Sequence, residues 1–235
     1  MSESGGVMDA FVARPAAPGE YPGVIVAHQL FGLTQDVRTV AERIAALGYV
    51  VIAPDFYHRS DAGVELAADD QGRARGFALM GELTRDGVLT DVRAAMAYLR
   101  DQAGVTGSIG MVGMSMGGHL AYYAATRLDE LAVTIVLYAG WLTGTDIPVS
   151  RPEPTLDLTP GITGRIVVIV GERDHVITAD QRTAIADRLK ADGIRHEMVV
   201  IPEAPHAFLS PGVPTFRPRA SEEAWRRIEQ ALAEL

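Results

Sequence analysis

The chain has 235 residues, with 30 acidic side chains against 21 Lys and Arg, a net charge of −9 and no cysteine. That length suits one large α/β domain whose core needs no covalent staples, and the missing thiol excludes disulfides, thiolate catalysis and cysteine-based zinc sites. The acidic balance, with a pI near 5.1, argues against a non-specific nucleic-acid surface, and no stretch approaches the roughly 18 uncharged apolar residues of a membrane span. Met1 to Pro15 has no basic leader and no long apolar run, so a cytoplasmic protein is expected. It is read as a monomer or small homo-oligomer that meets neither nucleic acid nor membrane and carries no cofactor or metal.

After a polar start, Ser2 to Gly6, the segment Val7 to Ala13 reads as a weak edge strand, ended by Pro15, Pro18 and Gly19. Pro22 to His28 is a near-continuous apolar run, which marks a strand covered on both faces of a parallel sheet. Thr34 and Asp36 then offer an N-cap and a first-turn charge for a helix carrying Val37, Val40, Ala41, Ile44 and Leu47, closed by Gly48. The next strand is Tyr49 to Ala53. From Pro54 to Asp86 the pattern weakens, with one short helix near Leu66 to Leu79; such an excursion either shapes a cleft or simply covers surface. Val88, Leu89, Val92, Ala95, Met96 and Leu99 mark an amphipathic helix ending before Gly104.

That helix delivers the chain to Ser108 to Ala121, an apolar strand that passes through Gly113-Met114-Ser115-Met116-Gly117 into helix formers. A serine framed this way sits on a strand-to-helix turn so sharp that the flanking positions admit only hydrogen as side chain. The turn lifts the hydroxyl above the sheet and aims a helix N-terminus at an oxygen that gains negative charge during reaction. Further on, Val133 to Tyr138 is another buried strand, and Ala139 to Gly164 is a second irregular stretch with Trp141 at its start. Ile166 to Val170 is strongly strand-like. Thr178 with Gln181 forms a capping box for a helix through Leu189, Glu197 to Ile201 is the last strand, and Ser221 is expected to cap a C-terminal helix. Six strong strands alternating with helices describe an open, mostly parallel α/β sheet with reactive groups at the strands' C-terminal ends.

A serine hydroxyl needs an imidazole to take its proton, and the imidazole needs an acid to hold its tautomer. Of His28, His58, His119, His175, His196 and His206, only the last three follow the serine by enough sequence, and His206 comes directly after the final strand. His206 is therefore the expected base. His28, which precedes a turn, is read as structural. Among the carboxylates of Gly171-Glu172-Arg173-Asp174-His175-Val176, Asp174 is preferred over Glu172 because it lies deeper in the loop and is followed by apolar Val176 and Ile177. The oxyanion donors are expected to be the N–H of Met116 and that of Leu30 or Gln29, with Gly32 giving the latter loop its freedom.

Together, His28-Gln29-Leu30-Phe31-Gly32, Ala53-Pro54-Asp55-Phe56-Tyr57, Gly113 to Gly118, Gly171 to Asp174 and His206-Ala207-Phe208 resemble the dienelactone hydrolase family. The resemblance implies an α/β-hydrolase fold over one domain, 1–235, with Ser115, Asp174 and His206 as a triad and the Leu30 and Met116 amides as oxyanion donors. It also implies departures. Founding members carry cysteine where this chain has Ser115 and glutamate where it has Gln29; a serine has no stable anion to manage, and a carboxylate beside it would repel the developing oxyanion. The family's arginine four residues past the histidine, which in the family helps bind a substrate carboxylate, is Ser210 here, a departure that argues against a dienelactone or other anionic lactone as substrate. Gln29, Trp141 and Arg85 are the candidates for the pocket, Trp141 serving either as its wall or as a cap on the core; of Arg73, Arg75 and Arg85, either one or more or none lines the cleft. The expected activity is hydrolysis of a small ester or lactone through an acyl-enzyme. Thioesterase, peptidase and cofactor-free haloperoxidase chemistry share this fold and triad, and a non-catalytic binder of a small ligand or partner is the reading from another class.

Overall fold

In a computed structural model, which describes residues 7–101 and 103–235, seven strands form one sheet in the order β1-β3-β2-β4-β5-β6-β7. The polar start read at Ser2 to Gly6 lies outside the described residues. The strands are β1 (Ala10–Ala13), β2 (Gly23–Ala27), β3 (Val50–Pro54), β4 (Ile109–Met114), β5 (Leu131–Leu137), β6 (Arg165–Gly171) and β7 (His196–Ile201). Only β1 runs antiparallel, pairing at the edge with β3. β2 to β6 are apolar at nearly every position because both faces are covered. Val24, Val26, Val51, Val167 and Ile169 face one core, while their neighbours Ile25, Ala27, Ile52, Ile166 and Val168 face the other side.

Two layers of helix complete the fold. On one face α1 (Gln35–Ala46) and α6 (Pro218–Leu232) bury Val37, Ile44, Trp225 and Ile228. On the other, α3 (Arg85–Asp101), α4 (Met116–Ala125) and α5 (Ala179–Ala191) bury Val92, Leu99, Leu120, Ile185 and Leu189. The weak stretch after β3 holds α2 (Asp70–Met80), whose inward side consists of Gly72, Gly76, Leu79 and Met80. The stretch after β5 contains two 3-10 turns, Pro148–Ser150 and Thr155–Gly161.

Two caps differ from the sequence expectation. Thr34 occupies the N-cap of α1 but its hydroxyl makes no capping bond, and Asp36 instead accepts the Gly212 N–H at 3.2 Å, tying the helix to the 210–213 loop. The last helix starts at Pro218, three residues before Ser221, and the Ser221 hydroxyl donates to the Leu209 carbonyl at 2.8 Å. Proline is favourable at a first helical position, where no N–H is required. The capping box at Thr178 and Gln181 is present, with both reciprocal bonds formed.

The sheet reverses its direction of travel between β2 and β4. β3 lies on one side of β2, while β4 to β7 follow on the other. Loops leaving the C-terminal ends of β2 and β4 therefore diverge and open a crevice there. The turn after β4 is exceptionally close to β2: a Cβ on Gly117 would sit 2.2 Å from the Ala27 carbonyl oxygen and 2.5 Å from that of His28, and one on Gly113 would sit 2.0 Å from the Gly117 oxygen. Gly117→Ala should cost about 1–3 kcal/mol through this overpacking. Urea unfolding checks it, and an unchanged midpoint would mean that the turn and β2 can part without penalty.

Candidate active site

Ser115 is the residue on which β4 ends and α4 begins, and its φ of 53° lies in the left-handed region that side chains avoid. Its N–H donates to the Leu137 carbonyl at 2.9 Å and its own carbonyl accepts from His119 N–H at 3.1 Å, so the turn is held from β5 and from within the helix. The Oγ lies 2.9 Å from His206 Nε2. His206 Nδ1 lies 2.9 Å from Asp174 Oδ2. A carboxylate can only accept, so Nδ1 carries the proton and Nε2 is free to accept the serine O–H. Asp174 Oδ1 in turn accepts the N–H groups of Val176 and Ile177, at 2.8 and 3.1 Å. The structure thus brings together the serine, histidine and aspartate singled out in the sequence. Glu172 lies outside this chain and accepts the Glu203 N–H at 3.0 Å.

The Asp174 side chain has no exposure, whereas the His206 side chain is 14% exposed. The acid is sealed below, and the imidazole reaches the crevice. Below His206 the buried Tyr138 ring meets it edge-on, with centroids 5.2 Å apart, and beside it His175 does the same at 5.9 Å. Among the described residues five non-glycines have positive φ, namely Ser115, Tyr138, Trp141, Glu203 and Ala207. Three of these line the crevice, Tyr138 packs on His206, and Glu203 lies in the loop that carries His206. Such backbone strain, of order 1–3 kcal/mol each, persists only where surrounding structure enforces it, and it gathers at functional sites.

The crevice is a cavity of about 220 Å³ containing Ser115 and His206. Its walls are mainly apolar. Leu30 and Phe31 come from the loop after β2, Phe77 from α2, Trp141 from the loop after β5, and Val213 to Thr215 from the segment before α6. Trp141 and Phe77 meet edge to face with centroids 6.2 Å apart. Polar groups on the wall, besides Ser115 and His206, are Gln29, Arg73, His175 and Thr215. Gln29 and Trp141 both lie on the cavity wall.

Arg85 does not. It is absent from the cavity wall because its guanidinium is engaged elsewhere: Nε donates to the Val149 carbonyl at 2.8 Å, and the two terminal nitrogens bind the Glu153 carboxylate and carbonyl. Arg75 is likewise occupied, by Asp61 at 2.8 Å. Ser210 is buried, its hydroxyl has no partner among the described residues, and it is not on the cavity wall. Phe77 and Val213 to Thr215 were not legible as wall residues, because nothing in their local pattern says which way those irregular segments fold. Neither the Leu30 nor the Met116 N–H has a protein acceptor among the described residues. Also among the described residues, no group of three or more His, Asp or Glu is gathered to hold a metal ion, and no helix is long and apolar enough to cross a membrane.

His119, on the first turn of α4, is wholly buried behind the serine. Its Nδ1 lies 2.9 Å from the Gly140 carbonyl and its Nε2 2.8 Å from Thr155 Oγ1, so a neutral ring donates at one nitrogen and accepts at the other. It thereby anchors the peptide that leads into Trp141. Burial pushes its pKa down from 6.5 to about 4.

The family model described as the dienelactone hydrolase family matches residues 8–235. A Synechocystis sp. protein provisionally named carboxymethylenebutenolidase is 30% identical over 94% of this chain and 89% of its own length. Carboxymethylenebutenolidase 1 of Cupriavidus pinatubonensis is 28% identical, covering 100% of this chain and 94% of the relative. Among solved structures, a provisionally assigned dienelactone hydrolase from Klebsiella pneumoniae superposes with a TM-score of 0.85 at 21% identity, covering 98% of this chain and all of the other. That likeness establishes a shared fold.

The neutral burial of His119 has a consequence for acid stability. Its folded value of about 4 against 6.5 means that between those pH values the unfolded chain takes up a proton that the folded chain refuses. Stability should therefore be intact above pH 6.5, fall by about 3 kcal/mol as pH drops to 4, and not fall further from this site. Urea unfolding of the wild type and His119→Gln across that window checks it. The stability difference between them should narrow as pH falls, and a pH-independent difference would refute the neutral burial.

Proposed function

The chain belongs to the dienelactone hydrolase family, and on that premise we propose that it is a serine hydrolase of small esters or lactones, with Ser115 as nucleophile, His206 as base and Asp174 as the acid that orients it. Hydrolysis is the activity the family supplies. The serine-based mechanism is supported by one observation above all, the unbroken hydrogen-bond chain from Ser115 Oγ through His206 to Asp174, with both links at 2.9 Å. On this reading His206 removes the Ser115 proton as Oγ attacks the substrate carbonyl, and the carbonyl oxygen gathers negative charge. The Leu30 and Met116 N–H groups receive that oxyanion. Collapse of the tetrahedral intermediate breaks the acyl–oxygen bond, and the proton on His206 passes to the leaving alkoxide, which in a lactone stays tethered to the acyl chain. Water then attacks the acyl-enzyme by the same route and releases the acid.

The size and lining of the cavity support a small substrate. A volume of about 220 Å³ is below the roughly 300–1,000 Å³ of common ligand pockets. Arg73 stands on the wall with no carboxylate partner among the described residues, so a substrate carrying one anionic group is favoured over a neutral one despite Ser210. The neutral Gln29 beside Ser115 fits a serine nucleophile, since a carboxylate there would oppose the oxyanion.

Ser115→Ala should reduce ester hydrolysis to within about 10³–10⁴-fold of the uncatalysed rate, and Asp174→Asn should lower kcat by about 10⁴-fold through the wrong imidazole tautomer. A fluorophosphonate should label the wild type at Ser115. Undiminished hydrolysis by Ser115→Ala would end this reading. Arg73→Leu should raise KM for a lactone bearing a carboxylate by about tenfold or more, the worth of one charge-assisted hydrogen bond, while leaving neutral esters unaffected. Parallel kinetics on the two substrates decide it, and equal changes would remove Arg73 from substrate binding.

A further inference from the structure

We infer that His28 is a positioning residue for the oxyanion amide, because its imidazole fixes the Gln29–Leu30 peptide whose N–H is the proposed Leu30 donor. The inference rests on the serine-hydrolase reading above. A peptide unit is planar and trans, so the Gln29 carbonyl and the Leu30 N–H point in opposite directions across one rigid plane. Whatever holds that carbonyl aims that amide. The Gln29 oxygen lies 2.8 Å from His28 Nδ1 and also accepts the Gly32 N–H at 3.2 Å.

The ring itself is held so that it can only act in this sense. His28 Nε2 lies 3.1 Å from the Phe56 backbone N–H, which can only donate, so Nε2 is an acceptor. A neutral ring then carries its single proton on Nδ1, where it faces a carbonyl that can only accept. Both partners select the same tautomer. The side chain is completely buried, and burial lowers its pKa, which keeps it neutral. Because Phe56 follows β3, the ring braces the loop after β2 against the end of the neighbouring strand.

The next peptide is held as well. Tyr57 Oη lies 3.0 Å from the Leu30 carbonyl and 3.0 Å from Met116 Sδ. Gly76 of α2 seats against the same residue, since a Cβ there would come within 2.7 Å of the Leu30 carbonyl oxygen. Two consecutive carbonyls of the loop are thus engaged by buried side chains, while the Leu30 N–H has no acceptor among the described residues.

The test compares His28→Phe, which removes both ring bonds, with His28→Asn, whose side-chain N–H can take the place of Nδ1–H. For His28→Phe, kcat on a small ester should fall roughly 10²-fold, the scale of one lost oxyanion donor, with KM changed less than about threefold. Affinity for a trifluoromethyl ketone, which forms the oxyanion on binding, should fall by the same factor, and affinity for the carboxylate product should hold. His28→Asn should recover at least tenfold of the lost kcat. Wild-type kcat in a folded His28→Phe overturns the inference, and so do equal losses in both variants with KM rising as product affinity falls, the signature of a merely structural residue. If His28→Phe does not fold, 15N NMR of histidine-labelled wild type still decides: protonated Nδ1 and bare Nε2 are expected, and a proton on Nε2 overturns the inference. A wild type that neither hydrolyses esters nor labels with fluorophosphonate would fell the parent reading. An active wild type with an equally active His28→Phe fells this one alone.

Discussion

The site depends on how little room lies between the β4–α4 turn and the end of β2. Gly117 rests against the carbonyls of Ala27 and His28, and Gly113 rests against Gly117. This contact couples two loops that the topology would otherwise let diverge, since the crevice at a switch point exists because neighbouring strands send their chains in opposite directions. With the turn pressed onto β2, Ser115 and the Leu30 peptide become neighbours across the crevice. The strain at Ser115 is one cost of the arrangement, and it is sustained by bonds from Leu137 and His119 on either side.

Much of this was legible in the sequence, for an identifiable reason. Strands covered on both faces read as unbroken apolar runs, so the six strong strands were placed nearly to the residue, and position in the chain, together with the apolar Val176 and Ile177 that follow Asp174, singled out Asp174 and His206 as candidate partners of the serine. Information failed where structure is set by long-range packing. Arg85 looked free because its partners, Val149 and Glu153, lie more than 60 positions away in an irregular stretch. Phe77 and Val213 to Thr215 reach the cavity from segments whose direction no local periodicity records. Ser221 resembled a cap, but Pro218 supplied an earlier and better helix start, and the serine turned to the Leu209 carbonyl instead.

The irregular segments divide their work. The stretch after β3 contributes α2, which brings Arg73 and Phe77, one turn apart, onto the same wall. The stretch after β5 contributes chiefly Trp141, held in a left-handed conformation behind which His119 grips the Gly140 carbonyl. Both segments leave the C-terminal side of the sheet, so variation in either alters the pocket without disturbing the parallel strands beneath it. A pocket built this way can change its preference while the serine, histidine and aspartate keep their geometry.

Besides His175 on the cavity wall, three imidazoles surround the serine's turn, and environment keeps their roles apart. His28 and His119 are completely buried, and in each both nitrogens are engaged, one facing a carbonyl and the other the Phe56 N–H in His28 or the Thr155 hydroxyl in His119. Protonating His28 would force a second N–H against the Phe56 N–H, which can only donate, so its neutral form is fixed by geometry as well as by burial, whereas His119 faces a hydroxyl that can also accept and is held neutral chiefly by its burial. His206 is built differently. One nitrogen is fixed by a sealed carboxylate, the other faces a serine hydroxyl that can give up its proton, and the ring edge is open to the crevice. A proton arriving at His206 Nε2 would meet an oxygen able to accept it, with Asp174 to balance the charge. Of the three, therefore, it is the ring whose surroundings tolerate both protonation states, which is the property a general base requires.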